Sequence, residues 1–92
     1  MKAVILKGIS RFAENPAPLA PVELPEPVPG DGEILIAVSA CGVCHTELDE
    51  IEGRTPPPVF PIILGHQVVG TVAARGPHTG QFRTGERVGV GW

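Results

Sequence analysis

The chain has 92 residues, enough for one small domain with a single core and too few to hold a nucleotide-binding domain as well. Seven Lys and Arg against ten Asp and Glu give a net charge of -3, which offers no basic face to nucleic acid or anionic lipid. No apolar run approaches the ~20 residues that span a bilayer and Met1–Lys7 lacks the form of a secretory signal, so the cytoplasm is the expected location and the two cysteines are expected as thiols or metal ligands rather than a disulfide.

In chain order, Lys2–Lys7 alternates as a strand with both faces apolar, which predicts a place between layers. Gly8–Pro18 is broken by Asn15-Pro16 and reads as a loop. Leu19–Leu24 makes a short strand that its flanking prolines confine to an edge. Pro25–Gly32 is a rigid approach to a glycine turn. Glu33–Ala40 is the strongest strand, dense in β-branched residues and apolar enough to be covered on both faces, and it leads directly into Cys41. His45–Glu52 predicts a two-turn helix with apolar Leu48 and Ile51, Thr46 as its cap and Gly53 as its stop. Arg54–Pro61 has four prolines among eight residues, which excludes a helix or a central strand.

Gln67–Ala74 is a second good strand, with Gly70 expected at a bulge or a close approach. Gly76–Gly80 is a turn, in which His78 is expected to be exposed. Thr84–Trp92 reads as a tight turn into a last strand. That strand still alternates at Trp92, as if the chain were cut from a longer protein. Gly85, Gly89 and Gly91 lie before and within this strand and open no helix, so a dinucleotide fingerprint is rejected. Five or so short strands and one small helix predict a mainly β domain, a barrel or a sandwich.

The chemistry concentrates between Cys41 and Gly70. Cys44 and His66 are a thiol and an imidazole, the ligand types that zinc prefers, each placed near a strand end that can hold it rigidly. Two ligands do not close a tetrahedral site. Cys41 can be read as a third ligand or as a redox partner of Cys44; the stronger reading is a small buried hydrophobe after a core strand. Glu47, Asp49, Glu50 and Glu52 can equally form the solvated face of a short helix, and this is the preferred reading for Glu50 and Glu52. Thr55–Pro61 can be read as a proline-rich ligand or, preferably, as a rigid wall beside the site.

The ordered set C-G-V-C-H-T-E-L-D, G-H-Q-V-V-G and T-G-E-R-V-G-V-G-W resembles the amino-terminal part of zinc-dependent medium-chain alcohol dehydrogenases, over the whole chain. The resemblance implies a GroES-like, partly open β-barrel, residues 1–92 being a fragment of a larger two-domain enzyme whose Rossmann cofactor domain is absent. It implies Cys44 and His66 as ligands of the catalytic zinc, with the third ligand, a downstream cysteine, missing. Thr46 takes the position of the hydroxyl that receives the alcohol proton, and His45 that of a basic residue near the cofactor pyrophosphate. Glu47 matches a carboxylate that orients the zinc-bound histidine. The implied reaction passes hydride between a small alcohol or aldehyde and NAD or NADP, with the alcohol polarised at zinc.

Three positions depart from the family pattern. Gln67 replaces a usual glutamate beside the histidine ligand, Glu47 is one methylene longer than the usual aspartate, and Asp49 stands where a histidine often ends the proton relay. A carboxylate with a pKa of about 4 is a poor shuttle near neutral pH. The chain alone is expected to bind zinc weakly, to lack dehydrogenase activity and to self-associate through uncovered strands. The alternative is a stand-alone β module that binds a partner or a metal and catalyses nothing.

Overall fold

The structure, a computed structural model, describes residues 1–91; Trp92, in the expected last strand, lies outside them. The elements are β1 (Lys2–Leu6), β2 (Leu19–Glu23), β3 (Ile34–Gly42), α1 (His45–Glu52), β4 (Gln67–Arg75) and β5 (Arg87–Val90). The expected mainly β domain with one short helix is what forms. Its contacts divide the chain into two units: Met1–Pro25 with Val43–Gly65, and Glu26–Gly42 with the segment from His66 onward.

In the first unit β1 and β2 form an antiparallel ribbon from Lys2↔Glu23 to Leu6↔Leu19. A two-stranded ribbon has only edges, which is why Pro21 is tolerated opposite Val4. The terminal amine closes one end by donating to the Leu24 carbonyl at 2.7 Å. At the other end Leu6 is fully buried and exchanges two backbone hydrogen bonds with Ile62, of 2.8 and 3.0 Å. These bonds anchor the chain just beyond the proline-rich loop. The expectation that β1 lies between layers is corrected, because Val4 is about half exposed while Ala3 and Ile5 are partly covered. On the face that Val4 shares with Leu6 only Leu6 is covered, so the strand is enclosed on both sides at that end alone.

Helix α1 buries Ile51 and leaves Leu48 on the exposed side. It stops at Gly53, whose φ of 85° is the left-handed conformation that glycine adopts without Cβ conflict. The N–H groups of Gly53, Arg54 and Thr55 all turn back to the Asp49 carbonyl, satisfying an acceptor the helix end would otherwise leave open. Ser10 donates its N–H to the Ile51 carbonyl at 2.8 Å and so fastens the first loop to the helix.

The second unit is an antiparallel sheet of order β3-β4-β5. Its central strand, β4, alternates as a half-buried strand should, with Val68, Gly70, Val72 and Ala74 inward and Gln67, Val69, Thr71 and Ala73 outward. Gly70 is the close-approach point expected of it, since a Cβ there would lie 2.4 Å from the Ala37 carbonyl oxygen. The β3–β4 register shifts twice, between Leu35/Ile36 and Val38/Ala40. Strand β3 itself requires a correction. Ile34–Ile36 are partly buried, but every residue from Ala37 to Gly42 is exposed, so the strand is covered on neither face over its second half. Cys41 lies inside that half, paired opposite Val68, and is exposed rather than a buried hydrophobe. Apolar composition matched a two-sided strand, yet nothing among the described residues covers this end.

Candidate functional site

Helix α1 begins differently from the expectation. Its cap is Cys44, in extended conformation at φ -127° and ψ -175°, and not Thr46, which is already helical. The Cys44 N–H donates to Glu47 Oε2 at 2.7 Å, and the Glu47 N–H turns toward the Cys44 sulfur, so the pair forms a reciprocal capping box with cysteine in the place usually held by serine or threonine. The sequence signal was present as C-x-x-E, and the hydroxyl of Thr46 two residues later obscured it. Glu47 is 7% exposed, which rules out the solvated-face reading for it. A carboxylate at that depth is kept by hydrogen bonding, here in part to the backbone of the cysteine it follows.

The first turn thus holds several of the residues singled out from the sequence. Cys44 is partly buried with its backbone fixed, and Thr46 is partly buried with its hydroxyl bonded to nothing among the described residues. His45 is largely exposed and places Nδ1 3.4 Å from Asp49 Oδ1, one helical turn on. In the second unit His66 is partly buried immediately before β4, and Gln67, exposed, opens that strand opposite Gly42. A Cβ at position 42 would lie 3.0 Å from Gln67 Oε1, so the glycine leaves room for that side chain.

Arg54, which the sequence reading did not single out, organises the other end of α1. Its Nε donates to Asp49 Oδ1 at 2.6 Å and its Nη1 to Glu52 Oε1 at 2.8 Å. Glu52 Oε2 also accepts the Phe12 N–H at 3.1 Å. Glu52 therefore ties two segments together, which corrects its assignment to a merely solvated face. The hydrogen bond from Arg54 is the main cause that holds the Asp49 carboxyl below its ordinary value, with a smaller contribution from His45. The same guanidinium, then the Phe12 N–H, lowers Glu52, and both carboxylates raise Arg54. Asp49 is thus held ionised, which deepens the objection to it as a proton shuttle.

A pH prediction follows from these directions. Both carboxyls have folded values depressed below the ordinary 3.8 and 4.5, so their stabilisation is full above those values and is lost as the pH falls through the lower folded ones. Arg54→Gln is expected to lower stability modestly at neutral pH, as exposed pairs contribute little. The gap from the unaltered chain should close as the pH falls well below 3.8. Urea unfolding at a series of pH values checks this, and a gap that persists unchanged in acid would reject it.

Comparison with known proteins decides the family. Residues 30–92 match the alcohol dehydrogenase GroES-like domain. The chain belongs to that family. All of it aligns with an alcohol dehydrogenase of Geobacillus stearothermophilus at 37% identity over 93 residues, spanning 26% of that protein. Among solved structures, an NAD-dependent alcohol dehydrogenase matches 97% of the chain at 29% identity with a TM-score of 0.84, the chain spanning 25% of it. The Escherichia coli quinone oxidoreductase complexed with NADPH matches the same share at 25% identity with a TM-score of 0.86, the chain spanning 26% of it. The stretch therefore corresponds to about a quarter of each of these proteins. For an alcohol dehydrogenase GroES-like domain the mainly β architecture with one short helix is as the resemblance implied. Among the described residues no helix is long and apolar enough to cross a membrane.

Proposed function

We propose that this stretch is the zinc-holding part of a cytoplasmic, nicotinamide-dependent alcohol dehydrogenase, made as a longer polypeptide that also carries the cofactor domain. The observation that carries the reading is the capped first turn of α1 in a member of this family, where Cys44, His45, Thr46 and Glu47 follow one another with the cysteine backbone fixed by Glu47. The donor types suit the metal: Cys44 offers a thiolate, His66 an imidazole and Glu47 a carboxylate. In this reading Cys44 and His66 are ligands and Glu47 is their support, with a further ligand supplied from elsewhere in the polypeptide. Zinc bound there supplies a Lewis acid that lowers the pKa of an alcohol.

The chain's own residues carry the remaining tasks. The Cys44–Glu47 box holds the sulfur-bearing residue in one backbone conformation, so little ordering is left to the moment of binding. Thr46 Oγ1, uncommitted among the described residues, receives the alcohol proton. His45, on the exposed side of the turn, meets the negative charge of the nicotinamide cofactor, NAD or NADP. Asp49 stays ionised on Arg54 and orients the His45 ring without carrying the proton, which leaves by water. Gln67 contributes no charge beside His66. The uncovered half of β3 and the exposed Val69 and Val90 favour self-association of the chain when it is made alone.

The test begins with the mass of the native polypeptide that carries this sequence. A mass several times 9.6 kDa, with zinc present and alcohol-dependent reduction of a nicotinamide cofactor, is the expected result. A native mass of 9.6 kDa without turnover would replace the dehydrogenase reading with that of a small binding module.

A further inference from the structure

The second unit has a polar cleft of about 470 Å³ lined by Arg75, Gly76, His78, Thr79, Gly80 and Thr84. It lies at the end of β4 and in the turns that follow, within residues to which the dehydrogenase reading gives no task. Arg75 is the last residue of β4, and its Nη1 donates to the Phe82 carbonyl at 2.6 Å and to the Thr79 carbonyl at 3.5 Å. These bonds fix the guanidinium over the loop. Among the described residues no carboxylate pairs with it, unlike Arg54. Thr79 Oγ1 donates to the Gly76 carbonyl at 2.7 Å, so that lining carbonyl is also occupied.

Donors remain in excess. The remaining guanidinium N–H groups of Arg75, the hydroxyl and N–H of Thr84 and the N–H of Gly80 bond to nothing among the described residues. His78 adds an imidazole, held on the rim by Asp31 and by a left-handed backbone at φ 63°. Asp31 is the one carboxylate in contact with a lining residue among the described hydrogen bonds, and it does not itself line the cleft. A fixed, unpaired guanidinium beside hydroxyl and glycine N–H donors matches an oxyanion with several acceptor oxygens. In a chain of net charge -3 such a site has to be built locally rather than arise from a general basic surface.

We infer that the cleft between Arg75 and Thr84 binds a phosphate group. A tetrahedral phosphate can accept from Arg75, Thr84 and Gly80 together, whereas a planar carboxylate offers two oxygens in one plane. The volume leaves room beside it for the organic part of a small phosphomonoester.

The test is an amide-resolved NMR titration of the native polypeptide that carries this sequence with inorganic phosphate and, separately, with glycerol phosphate, at constant ionic strength against acetate and chloride. Saturable shifts at residues 75–84 with either phosphate, and none with acetate or chloride, are expected. Tighter binding of the monoester assigns the site to esters, and equal binding assigns it to free phosphate. Arg75→Gln is expected to weaken binding about tenfold or more, the loss of a charge-assisted donor. Because Arg75 also braces the loop, Thr84→Val, which touches neither carbonyl, serves as the second variant and should weaken binding while leaving the remaining spectrum in place. Linear, non-saturating shifts, equal shifts with acetate, or unchanged affinity in both variants would overturn the assignment.

Discussion

In the native polypeptide, Cys44→Ser and His66→Ala are each expected to abolish bound zinc and to reduce nicotinamide-dependent turnover to background. Serine keeps the shape of the cap and can still accept the Glu47 N–H, so the helix start should survive. What it loses is the soft thiolate, the donor that suits zinc. The variant thereby separates ligation from folding, because a merely structural Cys44 would tolerate serine at its N-cap better than almost any other residue. Glu47→Gln should behave differently. It keeps an acceptor for the Cys44 N–H and removes the charge, and outer partners of this kind typically change metal affinity by about 10–100-fold. Cys41→Ala is expected to change neither zinc nor turnover, since Cys41 is exposed in β3. Metal analysis of each purified variant, with circular dichroism to confirm the fold, checks the series. Full activity without the Cys44 thiol and the His66 imidazole would end the reading of these residues as zinc ligands and of the turnover as zinc-dependent.

Local chemistry was legible in the sequence wherever a residue type dictates a backbone. Gly53 ended the helix and Gly70 marked a close approach, since each position requires the absence of a Cβ or a left-handed φ. The strand expected over Gln67–Ala74 forms as β4, Gln67–Arg75. What the sequence hid was coverage. Glu33–Ala40 has the composition of a strand buried on both sides, yet burial depends on what lies against it, and nothing in eight residues encodes that. Cys41 was misplaced for the same reason. The cap was legible in principle, but C-x-x-E is a rarer form of the box than a threonine signal. Arg54 carried no periodic signal at all; its role arises because the left-handed turn at Gly53 brings position 54 back over Asp49 and Glu52. Of the candidate site, residue types and order were readable, and the supporting contacts were not.

Gly76→Ala is expected to destabilise the chain by about 3 kcal/mol or more, the sum of a steric conflict of ~1–3 kcal/mol and of hydrogen bonds worth ~1 kcal/mol each. A Cβ at position 76 would fall 1.7 Å from the Gly30 carbonyl oxygen, 2.7 Å from its carbon and 3.2 Å from the Glu33 carbonyl oxygen. All three are backbone atoms, so no flexible side chain can swing aside. Relief requires the Gly30–Glu33 turn to move away from the end of β4. That movement pulls on the Gly76 N–H to Glu33 carbonyl bond of 2.8 Å and the Gly32 N–H to Pro77 carbonyl bond of 2.8 Å, which together join the two turns. Gly8→Ala provides the control, because a Cβ there meets nothing within 4 Å while the change in unfolded-chain entropy is the same. Urea denaturation of both variants isolates the conflict at position 76. Against a domain stability on the order of 5–15 kcal/mol the loss is large, and equal midpoints for the two variants would show that the turns give way without cost.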